Sequence, residues 1–338
     1  MKNETRDKLE QYFTTQASLN SISIDTVRGG HKFIAAPSVE QTLEKRIQES
    51  DGFLRSINIF GVDEMEGETI GLGVGSTIAS RTDTESAERE TRDVHSLNAA
   101  RYYCRQTNFD THVRYALLDQ WAKFPDFEDK LTASIVTRIG LDRIMIGFHG
   151  TNAANNTDRV ANPLLQDVNT GWIQKYRNDA PDKVMSDGAA AGSITIGETG
   201  DYKNLHALAL DIRNNALDVW HRNAAGLCVI MGRDLQADDT MRLVNQAHSP
   251  SESLALAKIR QTGVIDGLPV IDVPHFPDGT MMLTTLANLS IYTQNGGKRR
   301  HFADNPRRDR LETYTSSNDA YAIEDYGLGG IAENVSFI

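Results

Sequence analysis

The feature that most constrains this chain is a glycine-striped strand. Ile70, Leu72 and Val74 alternate with Gly71, Gly73 and Gly75, giving one apolar face and one bare face. Ile57, Ile59 and Val62 mark an earlier strand, and the polar run 63–68 reads as the turn of a long hairpin joining the two. Two strands alone are only marginally stable in water, so the apolar face of such a hairpin has to be covered. Its own domain or a neighbouring subunit could supply the cover, and the pattern leaves both open. Gly71-x-Gly-x-Gly-Ser-Thr77 also resembles a phosphate loop. It lacks the lysine of a Walker loop and opens no helix, so it does not predict a nucleotide site.

Before this hairpin the chain reads as an arm. Leu9, Tyr12, Phe13 and Leu19 recur at helical spacing, and a loop with Gly29-Gly30 and Pro37 follows. Ser38-x-x-Gln41 reads as a capping box for a second helix, striped by Val39, Leu43 and Ile47 and stopped at Asp51-Gly52. Two thin stripes cannot build a core, so these helices must lie on something else. Residues 103–115 alternate with period two, which predicts a strand of roughly 40 Å. The longest helix is predicted over 126–148. Phe127, Leu131, Ile135, Ile139 and Ile146 line one side of it, and Lys130, Arg138 and Arg143 project elsewhere. Gly140 marks a bend or a close approach there.

An Asn-rich loop (149–163) leads to a short helix with Trp172, Ile173 and Tyr176, and 186–200 reads as a mobile, glycine-rich loop. Beyond Asp201 a compact α/β unit is expected. It comprises a helix with Leu205, Leu208, Ile212 and Trp220, a buried strand at 227–231, helix to about Ile259 and a strand at 270–273. The last third is β-rich, with Asn295-Gly296-Gly297 as a hairpin-turn signal and a strand through Tyr321 and Ile323.

Little in the sequence points to catalysis. No Gly-x-Ser-x-Gly elbow or HExxH spacing occurs, and His112, His149, His221 and His301 read as ordinary polar residues. Cys104 and Cys228 make neither a disulfide framework nor a metal cluster, so a reducing compartment is expected. The start of the sequence is charged at once, and no apolar run is long enough to span a membrane. The chain of 338 residues is 39% hydrophobic and carries 46 acids against 35 bases, a net charge of -11. That balance lacks the basic stripe of a protein that grips nucleic acid. The exception is Lys298, Arg299, Arg300, Arg307, Arg308 and Arg310, diluted by Asp304 and Asp309 and without an aromatic ladder. Salt bridges across a subunit interface are the favoured reading of that cluster.

Several longer stretches carry a family resemblance. They run from Pro37-Ser38-Val39 through Gln48-Glu49-Ser50 and include the hairpin region 57–84. Further on come Asn162-Pro163-Leu164-Leu165-Gln166-Asp167-Val168, Gly171-Trp172-Ile173-Gln174-Lys175-Tyr176-Arg177-Asn178, Asn288-Leu289-Ser290-Ile291-Tyr292, and Asn305-Pro306 with Asp309-Arg310. Through their order and spacing the whole chain resembles the major capsid proteins of the P2-like (Peduovirus) tailed phages.

The resemblance implies an α+β fold of the HK97 type. Residues 1–50 would be an N-terminal arm, and 51–95 an extended E-loop hairpin. Residues 96–200 would form a peripheral domain with the long helix as spine, 201–284 an axial α/β domain, and 285–338 strands returning to both. It places Ile57, Ile59, Ile70, Leu72 and Val74 against a neighbouring subunit. It also implies a non-enzymatic subunit without cofactor or metal, assembling as hexamers and pentamers into an icosahedral procapsid and then a mature head around double-stranded DNA. Implied partners are further copies of the chain, an internal scaffolding protein with maturation-protease activity, a portal protein at one vertex, and satellite size-determining or decoration proteins. Maturation would cut near Phe33 and Ile34. Assembly in the host cytoplasm and residence in the virion follow. The alternatives are an encapsulin-like compartment of the same fold and a small-molecule α/β enzyme.

Overall fold

The computed structural model describes residues 1–74, 79, 81–84, 86, 88–89, 95–124, 127–245 and 263–338. From the N-terminus come α1 (Asn3–Leu19), α2 (Ile24–Arg28), β1 (Phe33–Ile34), α3 (Pro37–Glu49), α4 (Gly52–Ser56), β2 (Asn58–Val62), β3 (Glu66–Val74), β4 (His95–Tyr103), β5 (Arg105–Asn108) and β6 (Thr111–Arg114). Helices α5 (Tyr115–Trp121), α6 (Phe127–His149) and α7 (Trp172–Asp179) precede β7 (Val184–Met185), β8 (Ile194–Ile196), α8 (Leu205–Asp211), β9 (Leu227–Met231) and α9 (Arg233–Asn245). The remaining strands are β10 (Val264–Ile265), β11 (Leu268–Ile271), β12 (Met281–Thr285), β13 (Leu289–Gln294), β14 (Arg299–Asn305), β15 (Arg310–Ile323), β16 (Gly330–Ala332) and β17 (Val335–Phe337). The chain divides into two compact units. Unit 1 holds Met1–Met65, Tyr103–Gln174 and Ser290–Tyr321, and unit 2 holds Glu66–Tyr102, Lys175–Leu289 and Ala322–Ile338.

Unit 1 is built on a seven-stranded sheet of order β1-β14-β15-β13-β2, with β5 and β6 also paired to β15. Arg105 stands opposite Asp319 and Arg114 opposite Arg310, so the alternating stretch forms one unbroken antiparallel register along β15. It is shorter than its pattern suggests. Tyr103 belongs to β4, and Tyr115 turns its N–H to the Asp309 carbonyl (2.9 Å) and opens α5. The Asn295-Gly296-Gly297 turn joins β13 to β14, with Gly296 at φ 68°, yet those two strands do not pair because β15 lies between them.

The expected hairpin is also re-partnered. Strand β2 runs parallel to β13, Ile59 opposite Ile291, and β3 pairs with β4 instead. Val62 accepts a hydrogen bond from Asn295 N (2.8 Å), which holds the end of β2 in the large sheet. Alternation identifies a strand and which faces it has, but not the strand it pairs with.

Helix α6 supplies the core of unit 1. Ile144, Ile146 and Phe148 are buried, and the rings of Phe53, Phe148, Trp172 and Tyr321 meet edge-on or tilted at centroid distances of 5.0–6.0 Å. A Cβ on Gly140 would come within 2.6 Å of Ser50 Oγ, and one on Gly147 within 2.2 Å of the Trp172 ring. Gly140 is therefore a close approach of helices. The first residues do lie on something else: Leu9, Tyr12, Phe13 and Ala17 of α1 and Val27 of α2 pack with Phe33, Tyr115, Leu118, Phe302 and Leu311. The capping box at Ser38 does not form. Helix α3 starts one residue earlier, with Pro37 in its first turn and Ala36 as an N-cap without a side-chain bond. Asp51, expected to stop that helix, caps α4 by accepting from Phe53 N at 2.7 Å.

Unit 2 contains a mixed six-stranded sheet, β10-β11-β9-β12-β16-β7, with β11 parallel to β9 and β12 antiparallel to it. Leu205, Leu208, Ile212 and Leu235 join Val229, Met231, Met281 and Leu283 in its core. Two expectations fail here. Residues 186–200 hold β8, whose Ile194 and Ile196 are fully buried and which pairs in parallel with β17. Trp220 lies beyond α8 and a π turn at Ile212–Ala216, and it is 49% exposed. The helix predicted onward to Ile259 is α9 as far as Asn245, and the rest falls outside the described residues. The ribbon of β3 and β4 pairs with no other strand among the described residues.

Candidate assembly interface

The five hairpin residues expected at an inter-subunit contact separate into three situations. Ile57 is 3% exposed and follows α4 in unit 1, so its side chain is buried within its own chain and cannot serve another. Ile59 is partly buried in β2, beside Phe60, which is half-exposed. Ile70, Leu72 and Val74 fall on β3 as predicted, while their side chains lie outside the described residues. Unit 2 shows how the root of the ribbon is held. Gly67 leaves room for the Tyr102 ring, Glu68 pairs with Arg101 at 3.7 Å, and Lys175 Nζ donates to the Arg101 carbonyl at 3.4 Å.

The other two sets of residues come together. Phe33 and Ile34 form β1 and pair with Arg300 and Arg299 of β14. The Phe33 ring is buried and stacks on Phe302 at 6.4 Å, whereas Ile34 is exposed. Gly30, at φ 64°, gives the turn that leads into this strand. Within the basic cluster, Lys298 is buried and pairs with Glu44, Arg300 donates to Gln16 Oε1 at 2.8 Å, and Arg310 bonds Glu312 at 2.6 Å. Half of the cluster is thus engaged inside the chain. Arg299, Arg307 and Arg308 are exposed.

The sequence reading missed the strongest electrostatic feature. Arg143 is completely buried, and its guanidinium reaches Glu44 on one side and Asp319 on the other, at 3.1–3.2 Å for the latter. Lys298 closes the group on Glu44. Ser317 Oγ donates to Asp319 Oδ2 at 2.9 Å, and Asn169 Nδ2 to the Asp319 carbonyl at 2.9 Å. Two cations and two carboxylates therefore tie α3, α6, β15 and the turn before β14 together without net charge. Burial pushes the Glu44 carboxyl up, but the neighbouring Arg143 and Lys298 charges outweigh it and hold the group at about 2. Burial also pushes Asp319 up, against the pull of Arg143. A signal was available: Arg143 follows Ile135 and Ile139 at four-residue steps and precedes Ile146 by three, on the apolar stripe itself.

No described arrangement here suggests nucleophilic chemistry. Both cysteines are buried, with thiols pushed up to about 11 by burial, helped at Cys104 by Asp319, so they stay protonated at neutral pH. Among the described residues no group of acidic, histidine or cysteine side chains is arranged to hold a metal ion, and no helix is long and apolar enough to cross a membrane.

The family model described as Phage major capsid protein, P2 family, matches residues 8–335. The chain belongs to this family. It is 44% identical to the capsid protein of Escherichia phage P2 over 99% of this chain and 95% of that one. With the major capsid protein of Serratia phage KSP20 it shares 35% identity over 100% of this chain and 98% of that one. A chain of a solved satellite phage P4 procapsid that includes the size determination (Sid) protein superposes with a TM-score of 0.80. That match has 40% identity and covers 100% of this chain and 99% of that one. A capsid chain of an empty GTA particle aligns at TM-score 0.53 with 14% identity, over 85% of this chain and 90% of that one, a likeness of fold. The fold is the HK97 type, and the protein is a phage major capsid protein.

Proposed function

We propose that copies of this chain assemble as hexamers and pentamers into an icosahedral procapsid, which matures into a head around double-stranded DNA. The observation that carries this reading is the full-length likeness to a procapsid chain, at TM-score 0.80 and 40% identity. The subunit is a building block rather than a catalyst, and small contacts repeated around each ring add up through multivalency. The same likeness favours a phage shell over an encapsulin-like compartment or a small-molecule enzyme.

Within the shell, the β3–β4 ribbon serves as the E-loop and lays Ile70, Leu72 and Val74 on a neighbouring subunit. Its support is the ribbon's lack of any other strand partner among the described residues. Ile57 is withdrawn from that contact by its burial. Residues 201–284 act as the axial domain around the ring axes, an assignment supported by the six-stranded sheet and helices of unit 2. Residues 1–50 act as the arm, 96–200 apart from ribbon strand β4 as the peripheral domain, and 285–338 as strands shared by both. The exposed Arg299, Arg307 and Arg308 meet acidic groups of adjacent copies.

An internal scaffolding protein with protease activity guides assembly in the host cytoplasm and trims the chain at Phe33–Ile34. A portal occupies one vertex, and DNA is enclosed without sequence readout. Because the related P4 procapsid includes the Sid protein, a size-determining partner is included in the proposal; decoration proteins bind, where present, outside. Electron microscopy of the chain expressed alone and with its neighbouring assembly genes tests the reading. Closed uniform shells, more regular with the scaffold gene, are the expected result. A monodisperse monomer or dimer under both conditions would overturn it.

A further inference from the structure

Unit 1 contains a groove of about 470 Å³ between α1 and α3, lined by Tyr12 and Leu19 on the first helix, by Val39, Leu43 and Arg46 on the second, and by Arg300 of β14. Its volume suits several side chains of a polypeptide rather than a lone ion. The lining is mixed in a particular way. Leu19 is 53% exposed, and Val39 and Leu43 are only partly buried, so an apolar strip faces the groove unfilled.

Two guanidinium groups accompany that strip against one lining carboxylate, Asp129, on a chain whose total charge is -11. Arg300 donates through Nη1 to Gln16 and lies 5.1 Å over the Phe302 ring, which fixes its plane. Its Nε is buried and has no hydrogen-bond partner among the described residues. Arg46 is exposed and forms no ion pair among the described residues. The charge of the groove therefore runs opposite to that of the molecule. DNA would satisfy the guanidinium groups but leave Leu19, Val39 and Leu43 uncovered. A peptide helix carrying both carboxylates and aliphatic side chains satisfies both, and helical walls suit helix-in-groove docking.

We infer that this groove receives an acidic amphipathic helix of an assembly protein other than this chain, its carboxylate at Arg300 and Arg46 and its apolar residues on Leu19, Val39 and Leu43. The inference rests on the capsid reading for the existence of such a protein. Because α1 supplies one wall, the groove exists only while the chain keeps its first helix.

Photo-crosslinking from the groove tests this. Thr42 of the full chain lines the groove and is replaced by p-benzoylphenylalanine, the chain is co-expressed with its neighbouring assembly genes, and adducts are mapped by mass spectrometry after irradiation. The expected adduct lies on a Glu/Asp- and Leu-rich segment of a different polypeptide, and Arg46→Glu lowers its yield by about tenfold or more. In parallel, the purified full chain is titrated with a synthetic peptide of Leu, Ala and Glu about 16 residues long, roughly four turns of helix, and with its Lys-for-Glu counterpart. The Glu peptide should bind about tenfold tighter at low salt, and Arg46→Glu should erase the difference. No adduct, adducts only within or between copies of this chain, a yield unchanged by Arg46→Glu, or equal binding of the two peptides would overturn the inference. Micrographs of the same cells separate the two failures: shells without the adduct sink the groove alone, and absence of shells with the unsubstituted chain sinks the capsid reading.

Discussion

Arg143 carries a charge through the interior of unit 1 because Glu44 and Asp319 reach it from distant parts of the chain. Removing water from such a group is expensive, and only partners with good geometry offset the cost. Arg143→Met leaves Glu44 with Lys298 alone and Asp319 with its Ser317 bond. The expected loss is about 3–5 kcal/mol of stability, read from denaturant unfolding of the soluble subunit. The pH dependence follows from the direction of the Glu44 shift. Its carboxyl is held at about 2 in the folded chain against 4.5 when free, so the unfolded chain takes up the proton first. The contribution of Glu44 is therefore complete above about 4.5 and is lost as pH falls toward about 2. Unfolding measured from acid to neutral pH should show that loss in the native chain and a flatter acid limb in Glu44→Gln. An acid limb unchanged by the substitution would show that Glu44 is not the group responsible.

At the scale of elements, β15 organises unit 1. Fourteen residues long, it gives β14, β13, β5 and β6 a common partner, so strands from both ends of the sequence share one ladder. Helix α6 packs closely on neighbouring helical segments through glycines, Gly140 against Ser50 and Gly147 against Trp172. The β3–β4 ribbon has the opposite character, a two-stranded element without a further strand. Its apolar face is worth about 25 cal/mol for each Å² it buries, before ordering costs. Leu72→Asp should therefore leave a soluble subunit with unchanged circular dichroism and thermal transition, while shells disappear from micrographs. Normal particles from that variant would remove the ribbon from the assembly contact.

For the molecule as a whole, the proposed maturation site is part of the folded chain. The Phe33–Ile34 bond lies in β1, paired with β14, with Phe33 buried against Phe302. A protease that needs an extended, accessible strand reaches this bond only after β1 leaves β14. The intact mass of subunits from mature particles should match a chain beginning at Ile34, and a full-length mass would refute trimming there. Much of this was written locally in the sequence: the period of α6, the alternation of 105–114, the glycine stripe of β3, and the order of motifs that marks the family. Those properties depend on neighbours along the chain, and a periodicity records them. The partner of β2, the insertion of β15 between β13 and β14, and the use of Ile194 and Ile196 as a buried strand depend on residues far apart. The same is true of the ion group around Arg143, whose members come from three elements and a turn. A one-dimensional pattern states which faces need covering, and only the tertiary structure decides what covers them, because burial and charge pairing are settled between surfaces rather than along a strand or helix.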